Sequence, residues 1–99
     1  MAKTVIFTQE AEDDAYRGYS WYESKHIGLG REFITLIDAC LQSISRNPKL
    51  YQVIYKDYRR AIVRRFPFSI IYEETNTTVT IYAIFDCRQN PDKWQKRVQ

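Results

Sequence analysis

Tyr58-Arg-Arg-Ala-Ile-Val-Arg-Arg-Phe-Pro-Phe-Ser-Ile-Ile-Tyr72 says more about the architecture than any other part of the chain. Its β-branched and aromatic residues predict two strands, Arg60–Phe66 and Phe68–Glu74, on either side of Pro67. Proline brings no ladder donor, so Pro67 marks a bend or an edge. Downstream, Thr75-Asn-Thr77 reads as a turn and Thr78–Phe85 as a further strand. Upstream, Tyr51–Tyr55 is another, set off by a turn at Lys56-Asp-Tyr58. Connections this short predict an antiparallel meander. Regular alternation puts Val79, Ile81, Ala83 and Phe85 on one face of the last strand, with Thr78, Thr80, Tyr82 and Ile84 on the other.

The first half of the chain has a different period. Lys3–Phe7 is a short strand by propensity, and Thr8 follows as a helix N-cap. Glu10, Glu12, Asp13 and Asp14 crowd the next turns, where acidic groups complement the positive end of a helix. Ala11, Ala15, Tyr19 and Tyr22 recur at helical spacing, which carries the helix to about Lys25. Two glycines between His26 and Gly30 break it. Phe33, Ile37, Cys40, Leu41 and Ile44 then form a second helical stripe that ends at Asn47-Pro48. So short a link predicts an antiparallel helical hairpin. After the sheet, Asn90-Pro91 opens a last short helix that reaches Val98. The expected fold is a single α+β domain over residues 1–99: an N-terminal strand, a helical hairpin packed on a curled, mainly antiparallel sheet of four to five strands, and a short C-terminal helix.

Composition narrows the function. Hydrophobic residues make up 44% of the 99 and aromatics 15%, enough apolar mass for one core. The net charge of +3 is unevenly spread: residues 1–50 hold six Lys/Arg against seven Asp/Glu, and residues 51–99 hold nine against five. An anionic partner should therefore meet the second half. No apolar run is long enough to span a membrane and no signal segment follows Met1, so a cytoplasmic protein is expected. Cys40 and Cys87 stand far apart without metal-ligand spacing. Two buried, reduced thiols are expected, with a disulfide or a catalytic thiol as the alternatives.

Two clusters carry the remaining chemistry. Lys56 to Phe68 holds five cations and one anion. In a continuous strand Arg60 and Arg64 would share a face about 13 Å apart, with Arg65 on the other. That spacing suits a polyanion or an acidic peptide, and the plainer alternative is ion pairing with Glu73, Glu74 or helix carboxylates. The second cluster is Arg88, Lys93, Lys96 and Arg97, with Tyr82 and Trp94 interleaved as on nucleic-acid surfaces. Its plainer alternative is a helix whose Trp94 plugs the core. His26, the only histidine, falls in the helix link, away from both clusters. Neither a glycine-rich phosphate loop nor a metal-ligand set is present, so neither a cofactor nor a small-molecule substrate is expected.

Five segments, in order over nearly the whole chain, resemble the RelE/ParE toxin superfamily of type II toxin–antitoxin and plasmid-stabilisation modules. They are the opening strand with Thr8-Gln-Glu-Ala11, then Trp21-Tyr-Glu23, then Gly28-Leu-Gly-Arg-Glu-Phe33. The basic strand Tyr58–Tyr72 and Ala83-Ile-Phe-Asp-Cys-Arg88 through Trp94 to Arg97 complete the set. The resemblance implies a growth-inhibiting toxin neutralised by a cognate antitoxin laid over the hairpin and sheet. ParE-like members inhibit DNA gyrase, and RelE-like members are ribosome-dependent mRNA endonucleases. In the nuclease branch Arg64 or Arg65 and Arg88 would match phosphate-gripping positions, with Lys56 or Tyr82 standing in as acid/base. The branch's terminal Tyr or His is missing after Arg88, where the chain offers Trp94 and Arg97. Asp86 replaces a common His, and Gln89 and Asn90 replace Arg and Asp. The ParE-like branch is therefore favoured, with Arg60, Arg64, Arg65, Arg88, Trp94 and Arg97 as target-binding candidates. A module that only holds its antitoxin is the remaining reading.

Overall fold

The computed structural model describes residues 3–98. In chain order it contains β1 (Thr4–Phe7), α1 (Gln9–Lys25), α2 (Leu29–Arg46), β2 (Gln52–Tyr55), β3 (Tyr58–Ile62), β4 (Phe68–Glu74), β5 (Thr78–Asp86) and α3 (Asp92–Gln95). A 3-10 turn at Lys96–Val98 follows α3. The strands form one open mixed sheet in the order β1-β5-β4-β3-β2, which is the expected α+β architecture. From β2 to β5 the chain is an antiparallel meander. The hairpin carries the chain from one sheet edge to the other, so β1 lies parallel to β5, from Thr4 opposite Thr78 to Phe7 opposite Ile81.

The helices start and stop for local reasons. Thr8 is extended at ψ 160° and its hydroxyl accepts the Ala11 N–H at 3.2 Å, capping α1 as expected. Gly28 precedes α2 at φ 90° and has no side chain to cap with. Glu23 of α1 does it instead: its carboxylate accepts the N–H groups of Gly28 and Gly30 at 3.0 Å each. Gly30 also sits against the backbone of α1, where a Cβ would lie 2.7 Å from the Tyr19 carbonyl oxygen. The α2 stripe packs as expected, with Phe33, Ile37 and Ile44 buried and Cys40 and Leu41 at its margin. On α1 the buried positions are Ala11, Asp14 and Gly18, whereas Tyr19 is 37% exposed. Its ring lies beside Gly30, 2.9 Å from where a Cβ would stand, and at Gly18 the crossing is tight enough that a Cβ would meet the Phe33 ring at 2.6 Å.

Two strand expectations are corrected. The first basic strand ends at Ile62 rather than Phe66. Phe66 and Phe68 both reach Phe33, at centroid separations of 5.3 and 4.9 Å. Placing both rings on the hairpin side turns the chain sharply, with Arg65 left-handed at φ 71° and the Val63 N–H donating to Phe68 O at 2.9 Å. Arg64 and Arg65 are thus turn residues, and alternation along a strand does not place them. Tyr58, expected in a turn, already begins β3, because the reversal is completed by Lys56 at φ 50°.

The second correction concerns β5. Ile71 lies opposite Ala83 and Tyr72 opposite Ile81, so Tyr82 has no partner on β4 and forms a bulge. One extra residue reverses the faces beyond it. Val79, Ile81 and Ile84 pack under the hairpin, while Ala83 and Phe85 face outward with Ile71 and Trp94. The sheet thereby has a hydrophobic cluster on each side, and α3 covers the outer one. The two cysteines are free, Cys40 half-buried and Cys87 exposed rather than both buried. Among the described residues no helix is long and apolar enough to cross a membrane.

Candidate functional site

Strand β1 stops opposite Ile81, and β5 continues past it without a neighbour on that side. Side chains serve the exposed ladder groups there. Asp14 Oδ2 accepts the Ile84 N–H at 3.0 Å, and Arg97 Nη1 donates to the Tyr82 carbonyl at 3.2 Å. The two side chains also grip each other, with Arg97 Nη1 2.6 Å from Asp14 Oδ2 and Nη2 3.0 Å from Oδ1. Arg17 adds a third cation contact, 2.7 Å from Asp14 Oδ1. Asp14 is 9% exposed, so this carboxylate is an internal tie between α1, β5 and the C-terminal turn. Its expected role beside Asp13 as a helix-dipole partner does not describe it. Hydrogen bonding to Asp14 holds the Arg97 guanidinium further above its already high range.

Beside this tie lies an open groove of about 830 Å³ between α1, the end of β5 and the segment from Arg88 to Arg97. Phe68, Ile84 and Phe85 contribute its apolar floor, and Tyr16 and Trp21 project from α1 at 71% and 55% exposure. Arg17, Arg88 and Lys93 line its rim. Arg88 is held in place by Asp86, with Nε 2.9 Å from Oδ1 and Nη2 2.7 Å from Oδ2. Hydrogen bonds from Arg88 keep the Asp86 carboxyl below the usual carboxylate range, against a smaller opposing effect of burial.

The outer face of the sheet carries a row of rings. Tyr82 meets Tyr58 edge-on at 5.2 Å, Tyr58 stacks on Tyr55 at 6.4 Å, and Tyr55 meets Trp94 edge-on at 5.7 Å. Lys56 Nζ lies 5.3 Å from the centre of the Tyr55 ring. Tyr82 donates its hydroxyl to Glu73 Oε1 at 3.2 Å. Burial first, and the Glu73 charge second, raise the Tyr82 phenol above its ordinary range. Arg60 lies opposite Ile71 and is exposed on this same face.

The residues singled out from sequence are therefore divided among several places. Lys56, Arg60 and Tyr82 belong to the outer face. Arg64 is exposed in the turn after β3, and Arg65 pairs with Glu32 of α2 at 2.7 Å. Arg88 lies in the groove beside α1. Arg97 is committed to Asp14, and Trp94 is only 3% exposed, beneath α3 rather than on its surface. Sequence reasoning missed Asp14, Arg17, Asp86 and the groove role of Trp21. Asp14 had a signal: it shares the Ala11–Gly18 stripe, where an acid needs a cation. His26 is exposed in the helix link. Among the described residues no group of three His, Cys, Asp or Glu side chains is placed to hold a metal ion.

Residues 5–91 match the family described as the ParE toxin of the type II toxin–antitoxin system parDE. The chain belongs to the ParE toxin family. It is thus a toxin of a type II toxin–antitoxin system. Toxin ParE2 of Mycobacterium tuberculosis is 26% identical over 93 residues, spanning 93% of this chain and 89% of that protein. The fold is also that of a chain from the chromosomal ParDE system of P. aeruginosa, at TM-score 0.63 and 13% identity over 86% of this chain and 96% of that one. A chain of the RelBE2 toxin–antitoxin complex from Mycobacterium tuberculosis aligns at TM-score 0.62 and 18% identity, over 87% and 99%. The fold is thus common to ParDE and RelBE systems, and it does not by itself choose between their targets.

Proposed function

We propose that this ParE-family toxin is neutralised by a cognate antitoxin and acts by binding and inhibiting DNA gyrase, without cutting RNA. One observation carries the second half of that reading. Cutting needs a phosphate grip and an acid/base group around one reacting phosphate. Here the acid/base candidate Tyr82 points from the outer face, bonded to Glu73, while the cation Arg88 sits in the groove beside α1, bonded to Asp86. Arg65 is engaged at a third place by Glu32. Protein binding makes no such demand, and the exposed Arg17, Arg88, Tyr16 and Trp21 suit a protein surface. The toxin–antitoxin systems to which the family and both similar structures belong support an antitoxin as partner.

A ribosome-dependent mRNA endonuclease keeps one supporting feature: its two acid/base candidates, Lys56 and Tyr82, lie on the same outer face, at either side of the rings of Tyr55 and Tyr58. Purified toxin added to a supercoiling reaction and to a translated message separates the two. Loss of supercoiling with intact message is expected. Cleaved message with unimpaired gyrase would reverse the assignment, and neither effect would leave a module that only holds its antitoxin.

A further inference from the structure

We propose that two copies of this chain pair through β2, antiparallel about a two-fold axis at Val53, so that one sheet continues into the other. Strand β2 is an outer strand, bonded to β3 on one side alone. Alternate residues of an antiparallel strand spend their backbone groups on the neighbour, and the rest point away from it. Among the described residues no side chain or loop meets the outward groups of Gln52–Tyr55. Charge and proline, which commonly keep such an edge single, are both absent from its sequence Gln-Val-Ile-Tyr, and Val53 is 44% exposed. The opposite edge differs. Just before β1 the Lys3 N–H donates to Ser45 O at 3.4 Å and the Ser45 hydroxyl donates to Lys3 O at 2.9 Å, so α2 already holds that end.

A four-residue ladder is weak by itself, and its flanks decide both the occupant and the register. With Val53 opposite its own copy, a residue some positions before it meets the one as many positions after it in the second chain. Lys49 and Asp57 stand four positions to either side of Val53. Each therefore meets its opposite charge across the axis, twice over by symmetry. Both side chains are exposed, and among the described residues neither enters an ion pair. Their backbones are fixed: Arg59 Nη1 donates to the Lys49 carbonyl at 3.1 Å, and Lys56 at φ 50° sets the turn that carries Asp57. Leu50, 72% exposed, falls opposite Lys56, whose aliphatic stem can cover it. Moving the axis half a residue either way sets Lys49 against Lys56 or Leu50 against Asp57. This reciprocity is what selects a second copy over an unrelated strand. None of these residues lines the groove beside α1, so pairing leaves that groove open and does not depend on the gyrase reading.

Sedimentation equilibrium of the full chain tests this, with Lys49→Asp, Asp57→Lys and their combination. The unaltered chain is expected to dimerise. Each single variant faces like charges twice and should dimerise about tenfold more weakly. The combination restores opposite charges and should pair as the unaltered chain does. Mixing the two single variants should give a heterodimer, a gain that misfolding of either could not produce. Exchange of the β2 amide protons should slow as concentration rises, and that of the β1 amides should not. A monomer at millimolar concentration, dimerisation indifferent to the single variants, a mixture that stays dissociated, or protection at β1 instead of β2 would each overturn the proposal.

Discussion

Asp14 and Arg97, 83 positions apart in sequence, meet in a two-pronged ion pair that also caps the ladder groups of β5 at Tyr82 and Ile84. Their side chains are 8% and 23% exposed, so removing one strands the other in a poorly solvated place. The two losses are unequal. Asp14→Ala leaves the Ile84 N–H without an acceptor and the Arg97 guanidinium with only the Tyr82 carbonyl, whereas Arg97→Ala leaves Asp14 with Arg17 and Ile84. Asp14→Ala should cost about 3 kcal/mol of unfolding free energy, and Arg97→Ala about half of that. Urea denaturation of both single variants and the double variant measures it. Equal costs, or strictly additive ones, would refute the shared-tie description.

Gly30 should be the least replaceable glycine. Its Cβ would meet the Tyr19 carbonyl, which is backbone and cannot swing aside. Gly30→Ala should cost about 2 kcal/mol by forcing the helices apart. Gly28 is open to solvent around its Cβ direction but has φ 90°, so Gly28→Ala should cost only about 1 kcal/mol of backbone strain. Thermal melts of the two variants rank the effects.

Arg65 combines a left-handed backbone with an exposed ion pair. An exposed pair contributes only about 0–1 kcal/mol, so the backbone should dominate. Arg65→Gly and Arg65→Ala both remove the pair to Glu32, and only glycine relieves φ 71°. The glycine variant should be more stable than the alanine variant by about 1 kcal/mol. Charge reversal at Arg64 and Arg65 together should weaken growth arrest while leaving the near-UV spectrum folded. A lost spectrum would show these residues to be structural.

The Cys40 thiol is pushed up to about 11 by burial. A folded-state value above the unfolded one means that the unfolded chain loses its proton first. Stability from this group is complete below the ordinary thiol range, declines as pH rises above it, and is lost once pH passes about 11. The alkaline limb of the stability curve should therefore be shallower in Cys40→Ala. At pH 8, iodoacetamide should label the exposed Cys87 first, as mass spectrometry of digests would show.

These contrasts explain how far the sequence was readable. The α2 stripe, the Thr8 cap and β4 follow from periodicity and local chemistry, and each lies where the residues placed it. The family resemblance rested on the order of such segments and agrees with the matched residues 5–91. The bulge at Tyr82 was not legible, because it is a change of register against β4, where Ile71 meets Ala83 and Tyr72 meets Ile81, and the alternation of β5 by itself carries no sign of it. The turn at Arg65 was hidden for a similar reason, since it is the packing of Phe66 and Phe68 on Phe33 that ends β3. The candidate site suffered most. A row of cations looks alike whether free or paired, and their partners Asp14, Glu32 and Asp86 come from three different elements.

The slip at Tyr82 also bears on how the molecule opens. The hairpin-side cluster and the outer cluster share strands but no side chains across the sheet, and the C-terminal segment is held on the outer one by Trp94 and Val98 and fastened at its end by the Arg97–Asp14 pair. Opening of that segment would wet Ile71, Ala83 and Phe85 while Phe33, Ile44 and Ile70 stay dry. Hydrogen exchange should then divide into two cooperative populations, an earlier one from α3 and the end of β5 and a later one from α2 and β4.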